Sequence, residues 1–168
     1  MAITKIQSES MNLADTYAFT GTVTGAGGVN TPSFLATQSA QQSIATTTSV
    51  KLQCNTEAFD TNNTYDNSTN YRFTPAVAGK YYLMAMASLQ NLEADRKFYM
   101  SFHKNGSFLT GTNKLVMPGA SDDVSNLVSF IDTANTTDYY EAFIYHTSDS
   151  AKSTVVNATF FGAYKIIT

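Results

Sequence analysis

The residues best able to do chemistry are few and widely spaced. His103 and His146 each lie at the end of an aromatic, strand-like run, and Cys54 closes the expected strand Ser49-Val50-Lys51-Leu52-Gln53-Cys54. A zinc site gathers three or four His, Cys or carboxylate ligands. Two distant histidines and one cysteine do not supply that set, and the histidines read as strand-end residues without a chemical role. A lone cysteine cannot form an internal disulfide. With no cationic or histidine neighbour in sequence, Cys54 reads as a small buried apolar residue and not as a reactive thiol. Acid–base catalysis wants two carboxylates converging in a pocket. The one adjacent acidic pair, Asp122-Asp123, follows Pro118-Gly119-Ala120-Ser121 and reads as a solvated loop, with a calcium loop as the sharper alternative. Asp60, Asn62, Asn63, Asp66 and Asn67 form a second oxygen-rich run open to the same two readings. Gly25-Ala26-Gly27-Gly28 lacks the Lys-Ser/Thr of a phosphate loop and reads as a hinge. No Gly-x-Ser-x-Gly elbow occurs. The chain is expected not to be an enzyme and to need no metal or other cofactor, calcium at one of these loops being the alternative.

Recognition is the chemistry left. Tyr65 and Tyr71 sit in polar, turn-rich sequence, where exposed aromatic rings stack on sugars. With Asp122 and Asp123 they are the candidate ligand-binding residues, for a glycan or protein.

The elements that would position these residues are β-strands. Tyr81 to Leu89 is apolar on both alternating faces: Tyr81, Leu83, Ala85, Ala87 and Leu89 on one, Tyr82, Met84 and Met86 on the other. Phe98, Met100 and Phe102 alternate through Lys97 to His103, and Asn105-Gly106 supplies a hairpin turn. Val124, Asn126, Val128 and Phe130 oppose Ser125, Leu127, Ser129 and Ile131. Ser33-Phe34-Leu35-Ala36, Tyr71-Arg72-Phe73-Thr74, Asn113 to Met117, Tyr139 to His146 and Thr154 to Ile167 are further strands. Glu57 to Ser68 reads as polar turns, and Leu89 to Lys97 as a charged loop or single turn. The sum is about nine or ten short strands without an amphipathic helix, which predicts an all-β, antiparallel jelly-roll sandwich.

The 168 residues fit one such domain, residues 31–168, preceded by an arm and Gly-rich hinge, residues 1–30, with spaced apolar residues Ile3, Ile6, Met11 and Leu13. A net charge of −3 gives no basic footprint, so no nucleic-acid partner is expected. Only 14% of residues are charged, well under the usual quarter, with Ser, Thr, Asn and Gln in their place. No run reaches the ~18–20 apolar residues that span a bilayer. The first residues carry no apolar leader, so synthesis in a cytoplasm without export by the ordinary route is expected.

The ordered set Phe59-Asp60, Tyr65-Asp66, Phe73-Thr74-Pro75 and Ala78-Gly79-Lys80-Tyr81-Tyr82-Leu83 resembles the core of the complement-type globular head, one of the tumour-necrosis-factor-like jelly rolls. Phe34-Leu35-Ala36 resembles that family's opening strand, Lys104-Asn105-Gly106 its hairpin, and Phe160-Phe161-Gly162-Ala163-Tyr164 its closing strand. The resemblance covers residues 32–167. It implies a bell-shaped homotrimer in which Tyr82, Met84, Met86, Tyr140, Phe143, Tyr145, Phe161 and Tyr164 build the core or the contact between copies. The chain lacks the collagen-like stalk, leader and disulfides of secreted animal members. Its arm, Ile3-Thr4-Lys5-Ile6-Gln7-Ser8-Glu9-Ser10 leading to Phe19-Thr20-Gly21-Thr22-Val23-Thr24-Gly25, resembles the start of bacteriophage structural proteins. The expected function is a trimeric head on a virion surface, as capsid decoration or tail-fibre component, docked on other virion proteins through its arm. A receptor-binding module that recognises host-surface glycan or protein through apical loops is the alternative.

Overall fold

The computed structural model describes residues 29–166, so the expected arm residues Ile3, Ile6, Met11 and Leu13 lie outside the described residues. The strands are β1 (Ser33–Thr37), β2 (Ser43–Ile44), β3 (Val50–Lys51), β4 (Thr56–Asp60), β5 (Tyr65–Asp66), β6 (Arg72–Phe73) and β7 (Gly79–Leu92). They continue as β8 (Phe98–Lys104), β9 (Ser107–Phe108), β10 (Lys114–Val116), β11 (Asp122–Ala134), β12 (Tyr140–His146), β13 (Lys152–Ser153) and β14 (Phe160–Lys165). The described helix is a single 3-10 turn, Val156–Ala158.

Two antiparallel sheets face each other. One has the order β11-β7-β14-β1-β4 and the other β10-β8-β12-β6-β5, with β3 added on β12 and β9 on β8. The chain changes sheet between β7 and β8, returns between β10 and β11, and crosses twice more to reach β14. This alternation is the jelly roll that the strand pattern predicted.

Period-two burial explains why these segments are strands. In β7, Tyr81, Leu83, Ala85, Ala87 and Leu89 are buried completely, while Tyr82, Met84 and Met86 face outward. In β8 the inward set is Phe98, Met100 and Phe102. β7 pairs with β11 from Leu92↔Asp122 to Gly79↔Ala134, with a bulge between Asp122 and Val124. Asn105 (φ 52°) and Gly106 (φ 76°) turn β8 into β9, the left-handed pair that a tight hairpin requires.

Three expectations need correction. Glu57 to Ser68 is not all turn: it carries β4, an edge strand paired with β1, and β5. Leu89 to Lys97 begins as strand, because β7 continues through Leu92. Cys54 is buried but lies beyond β3, outside any strand.

The core is an aromatic stack between the sheets. The Phe34 ring lies 4.4 Å from Tyr65 at 8° and 4.9 Å from Phe73 at 27°, with Phe161 edge-on at 5.0 Å. Burial pushes the Cys54 thiol up to about 12, against a hydrogen bond from the Phe161 backbone; a thiol so held is not a nucleophile at neutral pH.

A polar cluster ties β8, β11 and β12 together beside this stack. Lys104 Nζ reaches Asp132 Oδ2 at 2.9 Å and Asp138 Oδ2 at 3.1 Å, and donates to the Thr133 carbonyl at 2.7 Å. The Tyr140 hydroxyl donates to Asp132 at 2.7 Å, and the Asn105 amide to Asp138 at 2.8 Å. Burial raises the Asp132 carboxyl, but hydrogen bonds from Tyr140 and Lys104 outweigh it and hold it below the ordinary value. The Asn135 N–H and the Asn105 amide hold Asp138 low. Both folded values lie under 3.8. The stability they contribute is therefore present above pH 3.8 and lost as pH falls toward the folded values. Urea titrations at stepwise lower pH are expected to show the unfolding midpoint falling below about pH 5. Asp132→Asn with Asp138→Asn should remove part of that fall, the rest coming from other lowered carboxyls such as Glu93. A fall unchanged in the double variant would place the acid sensitivity elsewhere.

Candidate functional site: the outward faces of the two sheets

The outward face of the five-stranded sheet is built by strand register. Ile131, Tyr82 and Tyr164 align across β11, β7 and β14 in one row. Ser129, Met84, Gly162, Leu35 and Phe59 form the next, extending through β1 to β4. Leu127, Met86 and Phe160 form the third. Leu127 is 50% exposed and Ile131 55%. The Tyr82 and Tyr164 rings are 5.4 Å apart. Gly162 lets this surface close on itself, since a Cβ there would meet Leu35 Cδ1, Met84 Cε and the Phe34 carbonyl, each at 3.1 Å. The result is a contiguous apolar strip on a sheet face, the kind of patch a folded monomer rarely leaves bare.

The eight residues expected at the core or between copies divide three ways. Tyr82, Met84, Met86 and Tyr164 lie on this strip. Tyr140 and Phe161 are fully buried inside the sandwich. Phe143 and Tyr145 point outward from β12, on the other sheet.

The ligand-binding candidates do not converge. Tyr65 is a correction: it is 4% exposed, stacks on Phe34 in the core and donates its hydroxyl to the Cys54 carbonyl at 3.0 Å. It has no face free for a sugar. Tyr71 lies beside Gln42, Gln53 and Asn55 in a small hollow of its own. Asp122 and Asp123 are exposed at the start of β11, where Asp123 Oδ1 accepts the Asn91 N–H at 2.9 Å. In the oxygen-rich run, Asp60 accepts from the Tyr65 N–H at 2.8 Å and the Thr64 hydroxyl at 3.0 Å. Asp66 accepts from the Thr69 N–H at 2.9 Å and the Asn70 amide at 2.7 Å, and these bonds hold its carboxyl well below the usual range. Both carboxylates thus brace their own turns. Among the described residues no group of three or more His, Cys, Asp or Glu is placed to hold a metal ion, and no helix is long and apolar enough to cross a membrane.

The histidines differ. His146 is buried: its Nδ1 accepts the Ser148 N–H at 3.2 Å and its Nε2 lies 3.0 Å from the Ile44 carbonyl. His103 faces outward and stacks on Phe143. Beside it lies a shallow trough of about 280 Å³ between β8 and β12, with Tyr99 and Tyr145 on its walls. Sequence reasoning missed this trough, although the inward set Phe98, Met100 and Phe102 leaves Tyr99, Ser101 and His103 outward by alternation.

No protein-family model matches the chain, and no curated protein does. Solved structures do match, and they define the fold as the tumour-necrosis-factor and complement type of jelly roll. The crystal structure of murine APRIL at pH 5.0 superimposes with a TM-score of 0.59 at 11% identity, over 80% of this chain and 98% of that one. Murine APRIL at pH 8.5 gives 0.57 at 12% identity over the same shares. The globular domain of zebrafish complement 1qA gives 0.52 at 18% identity, over 80% of this chain and 97% of that one. At these identities the likeness is one of fold.

Proposed function

We propose that this chain is a non-enzymatic structural head, a homotrimer joined through the outward face of its five-stranded sheet and displayed on a phage-type virion surface. The observation that carries the trimer is the apolar strip of Leu127, Ile131, Tyr82, Met84, Met86 and Tyr164. A strip of half-exposed aliphatic and aromatic side chains on a twisted sheet gains most by meeting a second copy of a similar surface. The fold it sits on is one whose resemblance implied threefold assembly. Low charge density and Thr- and Asn-rich loops suit a permanent particle surface.

The virion reading rests on the arm, residues 1–30, whose sequence resembles the start of phage structural proteins. In this reading the arm docks on another virion protein and the head projects outward, as capsid decoration or as a tail-fibre component. Removing residues 1–28 is expected to leave a folded trimer that no longer joins the particle, read by gel analysis of purified particles. A truncated chain that still incorporates would overturn the role given to the arm.

A further inference from the structure

The outward face of the second sheet differs in chemistry from the strip. Register sets Tyr99 opposite Tyr145 across β8 and β12, with ring centroids 5.9 Å apart and tilted by 57°. On the same face the His103 ring stacks on Phe143 at 3.9 Å and 24°. Phe108, half exposed on β9, stands edge-on to His103 at 6.0 Å. Ser101 lies between the two groups of rings, and Ser49 and Asn113 stand at the rim of the trough they enclose. No carboxylate, lysine or arginine lines it. Glu141, opposite His103 in the register, is paired with Lys51, and Lys51 also donates to the Asn70 carbonyl at 3.0 Å.

We infer that this trough is a carbohydrate-binding subsite that takes one neutral pyranose of a glycan between Tyr99, Tyr145, His103 and Phe108. A pyranose has a face of C–H bonds and an edge of hydroxyls. Aromatic rings take the first and short polar side chains the second, which is the division found here. The hollow has the size of one sugar ring and not of the closed apolar pocket that anchors a protein partner. Burial holds the His103 imidazole below its ordinary value despite the Glu141 charge nearby. At neutral pH the ring is therefore uncharged and adds no cation to the trough. An uncharged lining disfavours sialylated, sulfated or phosphorylated ligands. This site replaces Tyr65 as the place where stacking on sugar is expected. It is independent of the trimer, because the strip lies on the opposite sheet.

The test is saturation-transfer NMR on the full chain with the methyl glycosides of glucose, galactose, mannose, rhamnose, N-acetylglucosamine and N-acetylgalactosamine. Methyl sialoside serves as the charged comparator. At least one neutral glycoside is expected to bind with a dissociation constant of about 1 mM. Tyr99→Ala and Tyr145→Ala should each weaken it about tenfold, the effect of losing one ring contact. Both variants should stay folded, with the parent far-UV spectrum, and Leu127→Ser on the other sheet should leave binding unchanged. Three results would overturn the site: no transfer to any neutral glycoside at ~20 mM, transfer that survives the Tyr99→Ala, Tyr145→Ala double variant, or binding of the sialoside alone. Sugar binding by a chain that is monomeric in solution would leave the subsite standing and remove the trimer.

Discussion

Ile131→Asp is expected to leave the chain folded but single. In one copy this side chain is 55% exposed on β11, so an aspartate there keeps its water and costs the isolated fold little. In the proposed trimer the same carboxylate is buried against apolar neighbours, three times over. Burying an unpaired charge costs several kcal/mol per group, and a cost of about 4 kcal/mol at one contact weakens association about a thousandfold. Light scattering should therefore give the mass of one chain at concentrations where the parent gives three, with an unchanged far-UV spectrum. Leu127→Asp, two rows along the same strand, should act the same way. A variant that stays trimeric would mean that copies meet through another surface.

The second large effect is on the fold itself. Phe161 is fully buried and meets Phe34 edge-on at 5.0 Å, with Tyr65 and Phe102 each at 5.8 Å. Its strand, β14, lies between β7 and β1 at the middle of the five-stranded sheet. Truncation removes a ring from a stack whose members come from both sheets, and no single side chain can move in to fill the space. Phe161→Ala is expected to cost about 3–5 kcal/mol. That is a large share of the ~5–15 kcal/mol by which domains are stable, and the Tm should fall by about 10 °C. Phe160→Ala, the outward neighbour on the same strand, should cost the isolated fold much less. Equal losses at the two positions would contradict the inward and outward assignment of β14.

Long strands declare their faces through alternation. The two faces of β7, the inward set of β8 and the opposition within β11 all follow from residue type at period two. Short strands do not. β5 is two residues long, too short for a period, and the polar run around it hid Tyr65, whose ring is drawn into the core by stacking on Phe34 and whose hydroxyl is satisfied by a carbonyl. β4 was hidden because an edge strand with mostly exposed residues looks like a loop. The apolar strip was half legible: Tyr82, Met84 and Met86 could be named from one strand, but Leu127, Ile131, Leu35 and Phe59 join them only through pairing across the sheet. The trough was illegible as a site for the same reason. Tyr99 and Tyr145 become neighbours only through the β8–β12 register.

Assembly of this chain through the strip on its five-stranded sheet has one plain consequence in solution. It is tested most directly by the solution mass of the full, unmodified chain, measured by light scattering across a dilution series. A mass of three chains that persists on dilution is expected. A single-chain mass at every concentration would contradict it, and the strip would then be a bare surface of a monomer.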